Sequence, residues 1–201
     1  KRPFCAILGG SKISTKFKVI EVLMQQADVL LIGGAMAFTF FKAENISIGQ
    51  SLVEDQFLGV AREIMNVGNQ SRCRILLPTD VVIVKDSNPL EQKIVNIHAG
   101  IPNGFKGVDI GPETIQIYGQ EIKKASTIFW NGPLGIFEQP PFDRGTQAIA
   151  QFMAEVNDDV TTIVGGGDSA AALEQTGLTE RMSHVSTGGG ASLEYIECKQ
   201  L

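Results

Sequence analysis

Glycine clusters at the ends of short apolar runs constrain the fold of this chain more than any other feature of its sequence. The clusters are Gly9-Gly10, Gly33-Gly34, Gly165-Gly166-Gly167 and Gly188-Gly189-Gly190. The runs before them are nearly continuous in apolar residues, which is typical of strands buried on both faces of a parallel sheet. Segments with helical spacing alternate with these runs. The pattern predicts a single α/β/α domain over residues 1–201, with one ligand crevice beyond the carboxyl ends of the strands.

The periodicity of apolar residues also predicts the individual elements. Strands are expected at residues 4–8, 29–32, 75–77, 81–84, 127–129, 161–164 and 184–186. Helices are expected at residues 13–26, 35–42, 54–67, 113–124, 143–156 and 169–175. Residues 86–96 are mostly polar and include Asn88-Pro89, so they predict a surface excursion rather than a domain boundary. The repetition of strand, loop and helix is expected to form a parallel sheet covered on both faces.

The composition excludes several classes of protein. The chain is 43% hydrophobic and carries a formal net charge of −5, without the basic stripe of a nucleic-acid-binding protein. No run reaches the roughly 20 apolar residues that a membrane span needs. Three scattered cysteines, Cys5, Cys73 and Cys198, indicate free thiols in a reducing cytoplasm. The chain begins at Lys1 with neither an initiator Met nor a signal peptide, so we expect a cytoplasmic protein cut from a longer chain.

Two lysines follow the first glycine cluster. Lys12 and Lys16 are four residues apart, so on a helix they would share one face. A helix N-terminus repels cations, so lysines placed there favour a bound anion, although two solvated surface lysines would have the same spacing. The segment lacks the Gly-x-x-x-x-Gly-Lys-Ser/Thr pattern of a P-loop, which disfavours that class of nucleotide hydrolase.

The third cluster continues into Asp168 and Ser169. It matches the Rossmann pattern Gly-x-Gly-x-x-Gly/Ala, but the next strand end, Ser186-Thr187-Gly188, has no acid for a ribose. A carboxylate inside the turn would also repel a bare pyrophosphate. Because Mg²⁺ is commonly held by one or two carboxylates together with substrate phosphates, Asp168 is predicted to be a metal ligand. A helix N-cap is the alternative role for this residue.

Two further segments offer groups for a phosphate ligand. The cluster Gly188-Gly189-Gly190 precedes a predicted helix, whose bare amides could hold a migrating phosphoryl group. The segment 128–138 follows a strand and contains the amide of Asn131, a turn at Pro133 and the acid Glu138. Trp130 and Phe137 in the same segment are predicted to be core residues.

Together these segments closely resemble the C-terminal domain of the phosphoglycerate kinase family. The matching stretches occur in the family's order at residues 9–16, 33–40, 109–114, 130–138, 165–170 and 184–194. The resemblance implies a three-layer, Rossmann-like domain with a mainly parallel six-stranded sheet that binds ATP or ADP with Mg²⁺.

The resemblance also assigns roles to single residues. Lys16 would contact the nucleotide phosphates, and Lys12 would support the transferring phosphoryl group together with the amides of Gly188, Gly189 and Gly190. Asp168 would bind Mg²⁺, with Ser169 and Asn131 beside the phosphates, and Glu138 would reach the ribose. The remaining nucleotide-binding positions are Gly10, Gly33, Gly34, Gly107, Pro133, Gly166 and Gly167.

The same resemblance implies a missing half. The family's N-terminal domain holds 3-phosphoglycerate on a basic patch, whereas His98 and His184 are the only histidines here and no arginine cluster exists. We therefore expect a monomeric chain that binds ATP or ADP without full turnover, and that meets 3-phosphoglycerate or 1,3-bisphosphoglycerate only through the absent domain. Neither nucleic acid nor a membrane is an expected partner. A Rossmann oxidoreductase and a non-catalytic binding fragment are the alternatives.

Overall fold

The computed structural model describes residues 1–85 and 88–188 of the chain. Within these residues the strands are β1 (Phe4–Leu8), β2 (Val29–Ile32), β3 (Arg74–Leu76), β4 (Asp80–Lys85), β5 (Asn88–Asn96), β6 (Phe105–Ile110), β7 (Thr127–Asn131), β8 (Thr161–Gly165) and β9 (His184–Ser186). The α-helices are α1 (Phe17–Gln26), α2 (Met36–Ala43), α3 (Leu58–Gln70), α4 (Pro112–Lys124), α5 (Arg144–Val156) and α6 (Gly167–Thr176).

The main sheet has six strands in the order β3-β2-β1-β7-β8-β9. Every neighbouring pair in it is parallel, which confirms the predicted α/β class and the parallel sheet. The chain winds outward from β1 to β3 and then returns to the centre to wind outward again from β7 to β9. The switch point of this doubly wound order, where such folds bind ligands, therefore lies between β1 and β7.

Both faces of the main sheet are buried. Ala6 and Leu8 of β1 pack into one core with residues of α1, α2 and α3. The alternate residues Cys5 and Ile7 pack into a second core with residues of α4 and α5. This alternation explains the continuous apolar strands, because each successive side chain enters a different layer. Cys5 and Cys73 are free thiols, as predicted, and both are buried; Cys198 lies outside the described residues.

A second sheet was not predicted. Strands β5, β4 and β6 form a three-stranded antiparallel sheet, in that order. Residues 81–84 therefore do not join the parallel sheet. Most of the described side chains of β5 are exposed, in keeping with the surface excursion expected over residues 86–96, but a strand there was not predicted. A short apolar run such as residues 81–84 does not specify the direction of its partner strand. The sequence of β5 shows no strand pattern, because about half of its residues are polar. Val81 and Ile83 anchor this sheet in the core around α2.

One glycine at the end of β1 is required by close packing. A Cβ at Gly9 would lie 2.1 Å from the Pro133 carbonyl oxygen and 2.5 Å from that of Gly132. We expect Gly9→Ala to lower the free energy of unfolding by about 2–3 kcal/mol, since the backbone of two loops would have to move.

Gly59 provides the matched control for Gly9. It lies in α3, and a Cβ there would meet nothing within 4 Å. Gly59→Ala should raise stability by about 0.5–1 kcal/mol because alanine loses less backbone entropy in a helix. Urea unfolding of both variants checks the pair, and equal effects of the two changes would contradict the packing argument.

No helix among the described residues is long and apolar enough to cross a membrane.

Candidate functional site

The loops at the switch point are joined by backbone hydrogen bonds. The amides of Gly9 and Gly10 donate to the carbonyls of Asn131 and Pro133 at 2.9 and 2.8 Å, so the turn after β1 is tied to the turn after β7. The Gly34 amide donates to the Leu134 carbonyl at 3.1 Å and adds the turn after β2. The sequence predicted one crevice shared by all four glycine clusters, and residues of three of them, Gly10, Gly34, Gly166 and Gly167, line the two cavities described next.

A cavity of about 420 Å³ opens on one side of these loops. Phe38, Val81, Leu134 and Phe137 contribute apolar walls. Gly107 packs closely against the outer end of the Phe38 ring, where a Cβ would meet Cζ at 2.0 Å. The cavity is large enough for a ring system with one apolar face. Predicted site residues that line it are Gly10, Gly34, Gly107, Pro133, Glu138 and Asp168.

A smaller and more polar cavity of about 250 Å³ adjoins the first. The two cavities share Gly10, Ser11, Pro133 and Asp168, so they form one elongated cleft. Predicted site residues that line the smaller cavity are Gly10, Lys12, Lys16, Asn131, Pro133, Gly166, Gly167, Asp168 and Ser169. Lys12 and Lys16 thereby lie at one end of the cleft, and the apolar walls lie at the other.

Lys16 lines the smaller cavity and is held there by hydrogen bonds of its ammonium group. Its Nζ donates to the Gly9 carbonyl at 2.6 Å, to the Asn131 carbonyl at 3.1 Å and to Asn131 Oδ1 at 2.7 Å. A Cβ on Gly132 would lie only 2.5 Å from this nitrogen, so glycine leaves the room that the lysine occupies. The arrangement holds a positive charge against the carboxyl ends of β1 and β7.

Burial changes the acidity of this amine. Desolvation lowers the pKa of Lys16 from 10.5 to about 8, and the nearby Asp168 carboxylate acts in the opposite direction. The charged form is therefore less favourable here than in water, and an anionic ligand in the cavity would favour it.

Lys12 does not share a helix face with Lys16, so that expectation is wrong. Residues Ile13–Thr15 form a short 3-10 turn, and α1 begins only at Phe17. Lys12 precedes the turn in an extended conformation and Lys16 follows it. Both side chains still reach the same cavity, because the turn brings its two ends together there.

Asp168 is an exposed residue in the first turn of α6. The N-cap position is taken by Gly166, whose φ of 102° favours glycine, so the alternative role of Asp168 as the helix cap is not supported. The carboxylate borders both cavities. Among the described residues no group of three or more His, Cys, Asp or Glu side chains could hold a metal, so a cation here would need ligand oxygens as well.

Asn131 and Ser169 cross-link the strand ends beneath the cavity. Asn131 Nδ2 donates to the Gly165 carbonyl at 2.7 Å while its Oδ1 accepts from Lys16. Ser169 Oγ accepts from the Gly132 amide at 2.6 Å. Both side chains are buried, so their polar groups hold the loops in place and contribute to the floor of the cavity.

The remaining predicted residues lie elsewhere. Gly33 does not line either cavity; it packs behind the wall, where a Cβ would meet Leu134 Cδ2 at 2.4 Å. Gly188 follows β9, is exposed and does not line the two cavities either. Gly189, Gly190 and the helix predicted after them lie outside the described residues.

Several cleft residues were missed by sequence reasoning. Phe38, Leu52 and Lys106 line the larger cavity, as does Asp109, a buried carboxylate that accepts from the Gly145 amide at 2.7 Å. Burial raises the pKa of Asp109 to about 7. Phe38 and Asp109 lie within two of the stretches that carry the resemblance, residues 33–40 and 109–114, which assigned them no role. Leu52 and Lys106 lie on the loop after α2 and on β6, for which the sequence analysis found no motif.

Comparison with known proteins agrees with this geometry. The family model described as "Phosphoglycerate kinase" matches residues 1–199. The chain belongs to the phosphoglycerate kinase family. A curated phosphoglycerate kinase family member of Arabidopsis thaliana, "Phosphoglycerate kinase 3, cytosolic", is 51% identical over all of this chain and half of its own length. The "Phosphoglycerate kinase" of Chloroflexus aggregans is also 51% identical, with the same coverage.

Solved structures of phosphoglycerate kinases share the fold. The Coxiella burnetii enzyme superposes with a TM-score of 0.93 at 40% identity, covering 100% of this chain and 51% of that chain. The Pyrococcus horikoshii enzyme gives a TM-score of 0.80 at 26% identity, with coverage of 100% and 50%. The chain therefore spans about half the length of the phosphoglycerate kinases that it matches.

Proposed function

We propose that this chain is the nucleotide-binding half of a phosphoglycerate kinase, and that its cleft binds ATP or ADP with Mg²⁺. The observation that carries the proposal is the pair of adjoining cavities at the switch point, one with apolar walls and one lined by Lys12 and Lys16. An adenosine group would occupy the larger cavity, with its ribose near Glu138. The phosphates would then extend toward the lysines.

The whole protein would transfer a phosphoryl group reversibly between 1,3-bisphosphoglycerate and ADP, giving 3-phosphoglycerate and ATP in glycolysis. Such transfer depends mainly on positioning and on neutralising charge. Lys16 would stabilise the nucleotide phosphates, and Lys12 would stabilise the phosphoryl group as it moves, with the amides of residues 188–190 on its far side. The acceptor would be held by a second domain, in a monomeric cytoplasmic enzyme.

The residues of the cleft fit a magnesium ion. Asp168 offers one exposed carboxylate at the border of both cavities, and phosphate oxygens and water would complete the octahedral set that Mg²⁺ prefers. When bound, the ion would neutralise charge on the phosphates. Asp168 itself would orient the phosphates relative to Lys16. The Asp168 carboxylate also favours the charged form of the Lys16 amine.

A Rossmann oxidoreductase is the second candidate, because the third glycine cluster matches that pattern. The described residues of β9 end at Ser186 without the ribose-binding acid of that class. Quenching or enhancement of nicotinamide fluorescence on mixing would favour it over a kinase.

Calorimetric titration with MgADP tests the proposal. We expect the purified chain to bind ADP and to bind it more tightly with Mg²⁺ than with EDTA, since every proposed contact except the acceptor site lies in this chain. No heat and no thermal shift at millimolar MgADP or MgATP would refute the proposal.

The role of Asp168 gives a separate prediction. Asp168→Ala should remove most of the Mg²⁺-dependent gain in ADP affinity, because the remaining ligands are water and the phosphates alone. Glu174→Ala is the matched control, since Glu174 is an exposed acid of the same helix. Titrations with and without Mg²⁺ check both variants, and a full metal dependence in folded Asp168→Ala would exclude the residue as a ligand.

The acidity of Lys16 predicts a pH dependence of binding. Its pKa is lowered to about 8 in the unliganded chain, whereas bound phosphates would raise it, so binding takes up a proton. We expect ADP affinity to fall about fivefold to tenfold between pH 7.5 and 9, a range in which phosphate itself, with a second pKa near 6, does not titrate. Calorimetry in buffers of different ionisation enthalpy measures the proton uptake, and an affinity independent of pH would contradict the assignment.

Lys16 should make the free energy of unfolding change with pH in the opposite direction to ADP affinity. Its pKa of about 8 in the folded chain lies below the ordinary value of 10.5, so the unfolded chain holds more protons between these values. Stability from this group therefore rises with pH through that window, while nucleotide affinity falls.

A further inference from the structure

The turn between Lys12 and Lys16 is held from behind by a carboxylate that the proposed nucleotide contacts do not include. Glu54 Oε1 accepts from Ser14 Oγ at 2.6 Å, and Glu54 Oε2 accepts from the Ser14 amide at 3.0 Å. Ser14 is the central residue of the 3-10 turn Ile13–Thr15. Both oxygens of one carboxylate therefore bind one residue, which specifies position and orientation more strictly than a single hydrogen bond.

The side chains of this turn face in different directions. Thr15, Lys12 and Lys16 line the smaller cavity. Ile13 is completely buried in the core beneath the turn, and Ser14 points to Glu54 instead of the cavity. The lysines are thus on the ligand side of a turn whose other contacts are Ile13 below and Glu54 behind.

The segment of residues 50–54, which carries Glu54, is anchored beside the larger cavity. The Glu54 amide donates to Thr39 Oγ1 at 3.2 Å, on α2. Three residues earlier, Ser51 Oγ accepts from the Gly107 amide at 2.9 Å, and the Gln50 amide donates to the Phe105 carbonyl at 2.8 Å. Residues 50–54 therefore run from β6, beside the larger cavity, to the turn Ile13–Thr15 between Lys12 and Lys16, here called the lysine turn.

We propose that Glu54 is a positioning residue for phosphate binding: it acts through Ser14 to hold the turn that places Lys12 and Lys16 at the phosphates. The inference rests on the proposed function, since it concerns the same cleft. Glu54 does not line either cavity and would not touch the ligand. Its effect on the nucleotide is indirect, and is confined to the phosphate end of the cleft.

A charge effect and a positioning role of Glu54 predict opposite changes in ADP affinity when this residue is removed. A carboxylate behind two phosphate-binding lysines repels an anionic ligand, so an effect of charge alone would make its removal strengthen ADP binding. A positioning role makes removal weaken ADP binding. It also requires that adenosine, which lacks phosphates, be unaffected.

Two substitutions of Glu54 separate these roles. Glu54→Gln removes the charge but keeps both contacts, because its amide oxygen can accept from the Ser14 amide and its NH₂ can donate to Ser14 Oγ. Glu54→Ala removes charge and contacts together. Asp55→Asn is the matched control: it removes the same charge one residue later, where the exposed Asp55 side chain pairs with Lys42 at 2.7 Å.

The experiment measures dissociation constants of the full chain for ADP by calorimetry and for adenosine by NMR titration. We expect Glu54→Ala to weaken ADP binding about tenfold and to change adenosine binding less than about twofold, since lost hydrogen bonds to a charged group affect the lysine turn alone. Glu54→Gln and Asp55→Asn should both stay within about threefold of the unmodified chain for ADP. Ser14→Ala, which keeps the amide contact, should weaken ADP binding about threefold and provides the test if Glu54→Ala does not fold.

The outcomes distinguish the inference from the proposed function. Tighter ADP binding in both Glu54 variants, equal losses for ADP and adenosine, or unchanged binding in Ser14→Ala would each overturn the positioning role while the unmodified chain still binds ADP. Failure of the unmodified chain to bind ADP would instead refute the proposed function, and this inference with it.

Discussion

Replacing Lys16 by methionine is expected to weaken ADP binding by about 30- to 100-fold. Methionine keeps most of the length and apolar character of the lysine but removes the only ammonium that lies between β1 and β7 among the described residues. A hydrogen bond to a charged group contributes about 1.5–3 kcal/mol, and long-range attraction for the phosphates is lost with it. Calorimetric titration with MgADP measures the loss.

Lys18→Met is the matched control for this change. Lys18 is exposed on α1 two residues later, so its loss removes the same charge without touching the cavity. It should change ADP affinity by less than about threefold, as expected for a solvated charge. Equal effects of the two substitutions would show that Lys16 acts only through net charge.

Lys12 should behave differently from Lys16. We expect Lys12→Met to weaken ground-state ADP binding less than Lys16→Met does, and in a complete enzyme to lower turnover more than it lowers ADP affinity. An interaction made mainly in the transition state affects rate rather than binding. If both substitutions weaken binding equally and spare turnover, this division of roles is wrong.

The largest effect is expected for turnover. A preparation of these 201 residues alone should phosphorylate 3-phosphoglycerate with MgATP at least about 10⁴-fold more slowly than ordinary kinases, which turn over about 1–100 times per second. Among the described residues, the cations lining the cleft are Lys12, Lys16 and Lys106, and the first two are assigned to the nucleotide. Positioning two reactants supplies about 7–11 kcal/mol of a barrier, and most of it is lost when the acceptor is not held.

The turnover experiment needs two controls. MgADP binding by the same preparation shows that the cleft is intact, and a preparation of the Lys16→Met variant reveals turnover that comes from contaminating host enzyme. A coupled assay then gives the rate of the chain itself. Turnover at the level of ordinary kinases, abolished by Lys16→Met, would mean that the acceptor site lies within these residues.

The sequence by itself determined the α/β class, the parallel sheet and the edge of the sheet at which the cleft lies. A strand buried on both faces can be recognised from its own apolar residues, without knowledge of its partner strands. Glycine clusters at strand ends are typical of turns that border a ligand site. Lys12, Lys16 and Asp168 could be selected because each lies within a few residues of such a turn. The bounds of β1, β2 and β9 were also correct, and a glycine or a polar residue directly follows each of these strands.

Only the tertiary structure decided which groups meet across the chain. Asn131 holds Lys16 although 115 residues separate them, and Glu54 holds Ser14 across 40 residues. The antiparallel sheet of β4, β5 and β6 and the Phe38 wall likewise depend on pairing and packing between distant segments. A local sequence pattern encodes the burial of a side chain and the turn of a backbone. The partner of a polar group is selected by the fold as a whole. Many carboxylates and amides are chemically equivalent until packing brings one of them within hydrogen-bonding distance.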